Sequence, residues 1–355
     1  MKAARELGIP RFIFHGPSCF FLLSSHNIEQ YKVYKNLDDY FKPIVIPKLP
    51  HKIEVTRAQA PGWLTEPGYE EMRANVLKSE AAADGIVVNT FYELEPDYID
   101  NYREALRKVV LPIGPLSLCN KDATSMATRG NKASVDENQI LKWLDSMAPR
   151  SVLYVRFGSI IRTPPSQLIE IGRGLEASNR PFVWVIRDVE KCAEVEKWMA
   201  DGFEERTRTR SLIITGWAPQ MLILSHRSIG GFVTHCGWNS IIEAVSAGVP
   251  MITWPHFADQ FLNERLVVEV LRIGVAIGVK VPFFHVKEDE LWVKREEVES
   301  AVVSLMNGGK EGEERRKRAK EFGEMAHKAM EEGGSSSESL THLIQYVRDN
   351  AKTDG

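Results

Sequence analysis

Short β-branched runs alternate with amphipathic stretches of helical length along most of the chain. Nine runs have the length and composition of strands, namely Arg11–Phe14, Gly85–Asn89, Val109–Ile113, Ser151–Phe157, Phe182–Ile186, Leu212–Thr215, Gly231–Thr234, Val249–Thr253 and Val275–Val279. Helical stretches lie between most of them, including Gln139–Ser146, Ser166–Ala177, Ser240–Ala247 and Asp259–Leu271. From Lys294 a helical period continues nearly to the end, interrupted at Gly333-Gly334. The pattern predicts an α/β protein with parallel sheets.

A polar stretch at 120–136 contains few large apolar residues and has the composition of an exposed linker. We therefore predict an N-terminal domain at 1–119, a linker at 120–136 and a C-terminal domain at 137–332, with a final helix at 333–355 that packs back toward the N-terminal domain. Only three strand candidates precede residue 120, and they are separated by the Pro-rich stretch Pro43–Pro67. The opening eight residues have the pattern of a helix that is already ending. These features predict that the N-terminal domain is incomplete in this sequence.

Composition narrows the class of protein. A chain of 355 residues is long enough for two domains with sizeable cores, and a net charge of −3 gives no reason to expect a nucleic acid as partner. Its four cysteines form no CxxC pair, which is typical of a reducing compartment. No apolar run reaches the roughly 18 residues of a membrane span. We predict a cytoplasmic, monomeric protein that does not insert stably into membranes.

The segment Gly230–Ser240 predicts a strand, a tight turn and the start of a helix. A diphosphate suits that place, because a helix N-terminus presents N–H groups without intrahelical acceptors and a partial positive charge. Gly237 would let the backbone approach the ligand closely, while Asn239 and Ser240 add side-chain donors. Open α/β sheets also bind ligands at the carboxyl ends of their strands.

Each of these residues also has a purely structural interpretation. Ser240 and Glu243 have the spacing of a capping box, although Glu243 could instead bind a ribose diol as acidic residues do in dinucleotide folds. His235 taken alone is more typical of a hydrogen-bonded histidine at the end of a strand. Trp217 could belong to the core, and Asp259 could cap the next helix.

Two other patterns carry little functional signal. Gly172–Ala177 matches GxGxxA but lies inside a predicted helix and not after a strand, which argues against a dinucleotide-binding oxidoreductase. His226, His235, Cys236 and His256 do not have the ligand spacing of zinc sites, so we predict no metal.

The segment Trp217–Gln260 closely resembles the signature box of plant family 1 UDP-glycosyltransferases. It contains WAPQ, then HRSIGGFVTHCGWNSIIEAVSAGVPMITWP, then FADQ. The resemblance continues over essentially the whole chain and includes Ile113–Pro115, Leu141–Asp145 and Tyr154–Ser159. It is strongest for members that act on terpenoids, steroids and phenolics.

The resemblance implies a GT-B fold, with two Rossmann-like domains facing a cleft and the sugar donor held by the C-terminal one. By position, Trp217 would stack on uracil and Ala218 and Gln220 would bond its edge. Ser159, His235, Asn239 and Ser240 would hold the diphosphate, and Trp238 would line it. Glu243 would take the ribose hydroxyls, and Asp259 and Gln260 the sugar hydroxyls. Gln260 resembles the residue of glucose-preferring members. The family needs no cofactor or metal, and UDP-glucose is the co-substrate.

The resemblance also implies an inverting enzyme in which a histidine, oriented by an aspartate, deprotonates the acceptor hydroxyl. None of the nine histidines stands in the matching context, and His15 lies on a different strand end, so we assign no catalytic residue. We therefore predict an N-terminally truncated UDP-glucosyltransferase acting on a small hydroxylated plant metabolite. The alternative is a UDP-sugar-binding protein without catalytic activity. A smaller departure is Arg156, where relatives usually have a small residue.

Overall fold

A computed structural model describes residues 4, 6–35, 39–119, 135–158, 162–187, 190, 192–286 and 291–350. Within them the strands are β1 (Phe12–His15), β2 (Ile44–Val45), β3 (Glu54–Val55), β4 (Gly85–Val88), β5 (Val109–Pro112), β6 (Val152–Arg156), β7 (Phe182–Ile186), β8 (Ser211–Thr215), β9 (Ile229–Thr234), β10 (Met251–Thr253) and β11 (Gly274–Ala276). The α-helices are α1 (Cys19–Gln30), α2 (Gly62–Thr65), α3 (Glu70–Ala81), α4 (Pro96–Leu106), α5 (Glu137–Asp145), α6 (Pro165–Ala177), α7 (Ala193–Trp198), α8 (Glu204–Thr207), α9 (Gln220–Leu224), α10 (Trp238–Ser246), α11 (Gln260–Arg265), α12 (Arg295–Met306), α13 (Lys310–Ala329) and α14 (Ser335–Asn350). None of these described helices is both long enough and apolar enough to cross a membrane.

The chain divides into two compact units. The first comprises Met1–Cys119, Phe257–Arg265 and Glu324–Gly355, and the second comprises Asn120–His256 and Leu266–Gly323. This grouping differs from the division predicted from the sequence in two places: 257–265 and the end of α13 group with the first unit. The predicted linker at 120–136 lies almost entirely outside the described residues.

The first unit contains a parallel sheet with the order β1-β4-β5. All four residues of β4 are buried, as expected for the central strand of a sheet covered on both faces. The last helix, α14, packs on this unit: the buried hydroxyl of Ser336 donates to the carbonyl of Gly114, and the ring of Tyr346 contacts Phe12 edge to face at 5.2 Å. The first unit is therefore built from both ends of the described chain.

A buried carboxylate organises the start of α1. Ser18 caps the helix by accepting a hydrogen bond from the N–H of Phe21. The two carboxylate oxygens of Glu95 accept separately from the N–H groups of Cys19 (3.0 Å) and Phe20 (2.6 Å), and Thr90 donates its hydroxyl to the same group. These bonds satisfy helix donors that have no intrahelical acceptor. Burial nevertheless raises the pKa of Glu95 to about 7.

The second unit is a six-stranded parallel sheet with the order β11-β10-β9-β6-β7-β8. Numbered from β6, this order is 3-2-1-4-5-6, that of doubly wound dinucleotide-binding folds. The prediction of an α/β protein with parallel sheets is confirmed. In this topology the strand order reverses between β6 and β9, which pair directly. The carboxyl ends of those two strands are where the fold places ligands.

One face of the second sheet is sealed by α6 and α12. Leu153 and Val155 of β6 belong to the same buried cluster as Leu175 of α6 and Val302 of α12. Full burial of such side chains contributes about 1.5–3 kcal/mol each. Gln167 of α6 is hydrogen-bonded to the segment just before α12. Its buried amide donates to the carbonyl of Val293 and accepts from the N–H groups of Trp292 and Val293. The GxGxxA match lies within α6, as predicted.

The structure corrects several predicted elements. The stretch 43–67 contains the short antiparallel pair β2–β3, which the sequence pattern missed. The predicted helix Asp259–Leu271 is α11 followed by a π-helical turn at Leu266–Val270. The helical stretch from Lys294 also breaks between α12 and α13, in addition to the predicted break at Gly333-Gly334.

Candidate functional site

The turn between β9 and α10 forms the centre of the candidate site. Cys236 adopts φ 66°, a left-handed conformation, and Gly237 caps the helix with extended backbone angles. Because α10 begins at Trp238, Ser240 is its third residue and not its cap, so the capping-box interpretation of Ser240 and Glu243 is wrong. The side chains of Ser240 and Glu243 instead accept hydrogen bonds from Gln220.

His235 occupies a tight space within this turn. Its ring lies beside two glycines: a Cβ atom on Gly158 would approach its Cε1 and Nε2 atoms to 2.7 Å, and one on Gly237 would overlap its Nε2. Its buried Nδ1 has no hydrogen-bond partner among the described residues. The interpretation of His235 as a hydrogen-bonded histidine at the end of a strand therefore gains no support from its Nδ1 atom. Burial, followed by the positive charge of Arg156, lowers the pKa of His235 to about 4, so the ring is neutral at pH 7.

The WAPQ segment runs from the end of β8 to the start of α9. Ala218 is fully buried, whereas Trp217 is half-buried. Gln220 is the first residue of α9, and its Nε2 donates to the carboxylate of Glu243 (2.7 Å) and to the hydroxyl of Ser240 (3.2 Å). The structure thus brings together residues from α9 and α10 that the sequence predicted to act on one ligand.

Arg156 is a member of this cluster that the set of predicted site residues left out. It is the last residue of β6; its Nη1 donates to Oε1 of Gln220 (3.0 Å), and its Cζ lies 4.6 Å from the ring centroid of Trp217. The sequence does contain a signal for it, since Arg156 is a charged residue within the apolar run of the predicted strand Ser151–Phe157.

Apart from Ser159, the other residues predicted to bind the donor lie on α10 or at the start of α11. Trp238 is buried at the first position of α10 and Asn239 is exposed at the second. Asp259 immediately precedes α11 and accepts a hydrogen bond from the side chain of Asn263 (2.7 Å), and Gln260 is buried, with its side chain accepting from the N–H of Phe257. Both belong to the first unit, so their sugar-binding role remains a prediction. Ser159 lies outside the described residues.

The first unit contains a cavity of about 700 Å³. Apolar side chains of α1, α2 and α3 line it, including Leu22, Leu64 and Val76. Its polar groups include His15, whose Nε2 lies 3.0 Å from the carboxylate of Glu80. A cavity of this size and lining suits a largely apolar small molecule that carries a few polar groups.

These features define the class of protein. The second unit is a doubly wound α/β sheet, with a helix N-terminus, an aromatic ring and an acidic residue gathered at its topological switch point. That combination is suited to a nucleotide, because the helix N-terminus can take phosphate and the acidic residue ribose hydroxyls. Within the described part of the chain, no group of three or more His, Cys, Asp or Glu side chains could hold a metal ion.

Comparison with known proteins identifies the family. Residues 119–307 match the family described as UDP-glucoronosyl and UDP-glucosyl transferase. The chain is 50% identical over 360 residues to UDP-glycosyltransferase 73E1 of Stevia rebaudiana, a match that covers 98% of this chain and 72% of that protein.

Solved structures of two plant glycosyltransferases are similar over 98% of this chain. Glycyrrhiza uralensis UGT73P12, complexed with glycyrrhetinic acid 3-O-monoglucuronide, is 40% identical with a TM-score of 0.89, covering 98% of this chain and 71% of that one. Phytolacca americana UGT2, complexed with UDP-2fluoro-glucose and pterostilbene, is 28% identical with a TM-score of 0.80, covering 98% and 73%. The chain therefore belongs to the plant UDP-glycosyltransferases of the UGT73 type, enzymes of GT-B fold that transfer sugar to small molecules. The resemblance recognised in Trp217–Gln260 is confirmed.

Proposed function

We propose that this protein binds UDP-glucose through its second unit and transfers the glucosyl group, with inversion, to a hydroxyl of a terpenoid, steroid, flavonoid or other phenolic. The observation that carries the donor assignment is the linked cluster of Gln220, Ser240 and Glu243 beside Trp217. The nucleotide sugar bound to the Phytolacca relative supports it.

The roles of the donor residues follow from their chemistry. Trp217 offers a ring face for uracil, and stacking of a base on an aromatic side chain is worth about 1–3 kcal/mol. Glu243 can accept hydrogen bonds from both ribose hydroxyls. Helix α10 directs N–H groups and its positive end toward the diphosphate, whose negative charge grows as it leaves.

The cavity of the first unit supports an apolar acceptor with hydroxyl groups. The glycyrrhetinic acid glucuronide and pterostilbene bound to relatives belong to that chemical class. During transfer the acceptor hydroxyl loses its proton, its oxygen bonds to the anomeric carbon, and the bond from that carbon to the UDP oxygen breaks. We also propose that the protein is cytoplasmic and monomeric and that it needs no metal ion.

A second candidate is binding of UDP-glucose without transfer, which the donor-binding cluster of the second unit would support by itself. General-base catalysis typically contributes about 10²–10⁴-fold to a rate, so its loss would be measurable.

Calorimetric titration with UDP-glucose, run alongside a turnover assay with phenolic and triterpenoid acceptors, tests both candidates. Binding with transfer at a rate comparable to that of the UGT73 relatives supports the first proposal. Binding with transfer at least 10²-fold below that of the UGT73 relatives supports the second. Absence of binding would refute both.

A further inference from the structure

Arg156 is the one charged residue of strand β6. Val152 to Val155 are buried, but the strand ends in a guanidinium at the carboxyl end of β6, next to β9 and at the point where the strand order reverses. A partly buried guanidinium is costly unless its donors find acceptors. Its contacts within the second unit show where that compensation comes from.

The first contact fixes the orientation of an amide. Arg156 carries only donors and the carboxylate of Glu243 only acceptors, and Gln220 lies between them. Its Oε1 therefore faces the guanidinium (3.0 Å) while its Nε2 faces the carboxylate (2.7 Å). The two ends of the amide are chemically distinct, so reversing it would set donor against donor and acceptor against acceptor. The resulting chain of bonds runs from Arg156 to both Ser240 and Glu243.

The second contact restricts the ring of Trp217. The guanidinium lies over one face of the indole, with Cζ 4.6 Å from the centroid. Contacts of this kind are electrostatically favourable, and the planar guanidinium stacks in a way that an ammonium cannot. One face of the ring is thereby occupied, so a base that stacks on Trp217 would have to use the opposite face.

We propose that Arg156 is a positioning residue for the nucleoside half of the donor. It holds the ring of Trp217 from one side and sets the amide of Gln220, so that the base and the ribose meet preorganised partners. The inference rests on the proposed function, since it assumes that a uridine nucleotide binds here. It assigns to Arg156 no direct contact with the phosphates.

Calorimetric titrations with UMP and with UDP separate a nucleoside role from a phosphate role. We expect R156S to weaken both ligands by the same factor, about tenfold, because the lost organisation lies in the part they share. R156K retains the charge but not the planar stack, so it should recover less than half of that loss on a logarithmic scale. R173S removes the same charge from an exposed, ion-paired position on α6 and should bind as wild type does.

A double-mutant cycle distinguishes positioning from a general structural effect. If Arg156 acts through Gln220, the combined loss in the R156S/Q220A variant should be smaller than the product of the two single losses. Thermal melts of every variant show whether folding is intact, and R156K serves as the second variant if R156S does not fold.

The outcomes that overturn the inference are specific. A loss much larger for UDP than for UMP, growing steeper at low salt, would assign Arg156 to the phosphates. Tighter binding by R156S would mean that the guanidinium blocks the stacking face, and unchanged binding would mean that it has no role. Failure of the wild-type protein to bind UDP would instead overturn the proposed function itself.

Discussion

His235 and Gly237 are packed so closely that a single Cβ atom on the glycine would overlap the Nε2 of the histidine. Gly237 has φ −63° and ψ 135°, angles that any residue can adopt. A substitution there would therefore act through steric overlap with the imidazole and not through backbone strain.

We expect Gly237→Ala to weaken UDP-glucose binding at least tenfold, because either the His235 ring, which also lies against Gly158, or the start of α10 must shift. Calorimetric titration measures the loss. Gly308→Ala is the matched control, since no described atom lies within 4 Å of its added Cβ. Equal affinities for the two variants would show that the contact between His235 and Gly237 is not needed for binding.

Glu243→Ala should weaken UDP binding about ten- to a hundredfold, the range expected for losing a hydrogen bond to a charged group. If the carboxylate binds the ribose diol, wild type should prefer UDP over 2′-deoxy-UDP, and the variant should lose that preference. Glu196→Ala removes an exposed carboxylate from α7 and should change neither quantity. A variant that retains the preference would place the ribose elsewhere.

His256 predicts a pH dependence of stability. It is 2% exposed, and burial, followed by the charges of His235 and Arg187, lowers its pKa to about 3. Below about pH 6.5 the imidazole of His256 binds a proton in the unfolded chain but not in the native state. The free energy of unfolding should therefore decrease as the pH is lowered from about 6.5 to 3, by up to about 1.4 kcal/mol per pH unit for this group.

Urea unfolding of wild type and His256→Phe at several pH values measures that slope. The comparison must be the difference between the two proteins, because the raised pKa of Glu95 makes an opposite contribution: its stabilisation is present at low pH and is lost as pH rises toward 7. His342→Phe alters an exposed histidine of α14 and should have the wild-type slope. A parallel dependence for wild type and His256→Phe would contradict the assignment.

Glu95→Gln should destabilise the first unit by about 1–3 kcal/mol. The two oxygens of Glu95 accept from different N–H groups at the start of α1, so an amide NH₂ would have to face one of those donors. Removal of a buried charge offsets part of the loss. Urea unfolding measures the change, with the exposed Glu104→Gln as control, and a stability equal to wild type would show that the charge costs as much as its hydrogen bonds contribute.

Chelation should leave donor binding unchanged. Treatment with EDTA followed by titration with UDP-glucose checks this expectation, and a loss restored by a divalent ion would refute it. Diphosphate charge would then need a cation in addition to the N–H groups of α10.

The sequence predicted the long, uniformly apolar elements well, because their signal is local. Phe182–Ile186 coincides with β7, since a short run of β-branched and aromatic residues suits a strand that is buried on both faces. The pair β2–β3 was missed because two-residue strands fall below the length at which alternation can be seen. The start of α10 was misplaced because Ser240 is a good capping residue, whereas Gly237 takes the cap only through the conformation of the turn before it.

The site was predicted from motif residues that stand close together in sequence, and the link to Arg156 was not. Arg156 and Gln220 are 64 positions apart, and no local pattern connects them. The charge at the end of β6 was visible, but its partners depend on which strands become neighbours in the sheet.

The hydrogen bond between Ser336 and Gly114 joins positions 222 residues apart within the first unit. Because Ser336 is synthesised 222 residues after Gly114, the unit cannot be completed until α14 has left the ribosome. Until then the surface of β5 that receives α14 has no cover, and exposed apolar surface of this kind invites aggregation. Fusions or deletions close to residue 335 would therefore disturb the assembly of the sheet that contains residue 12.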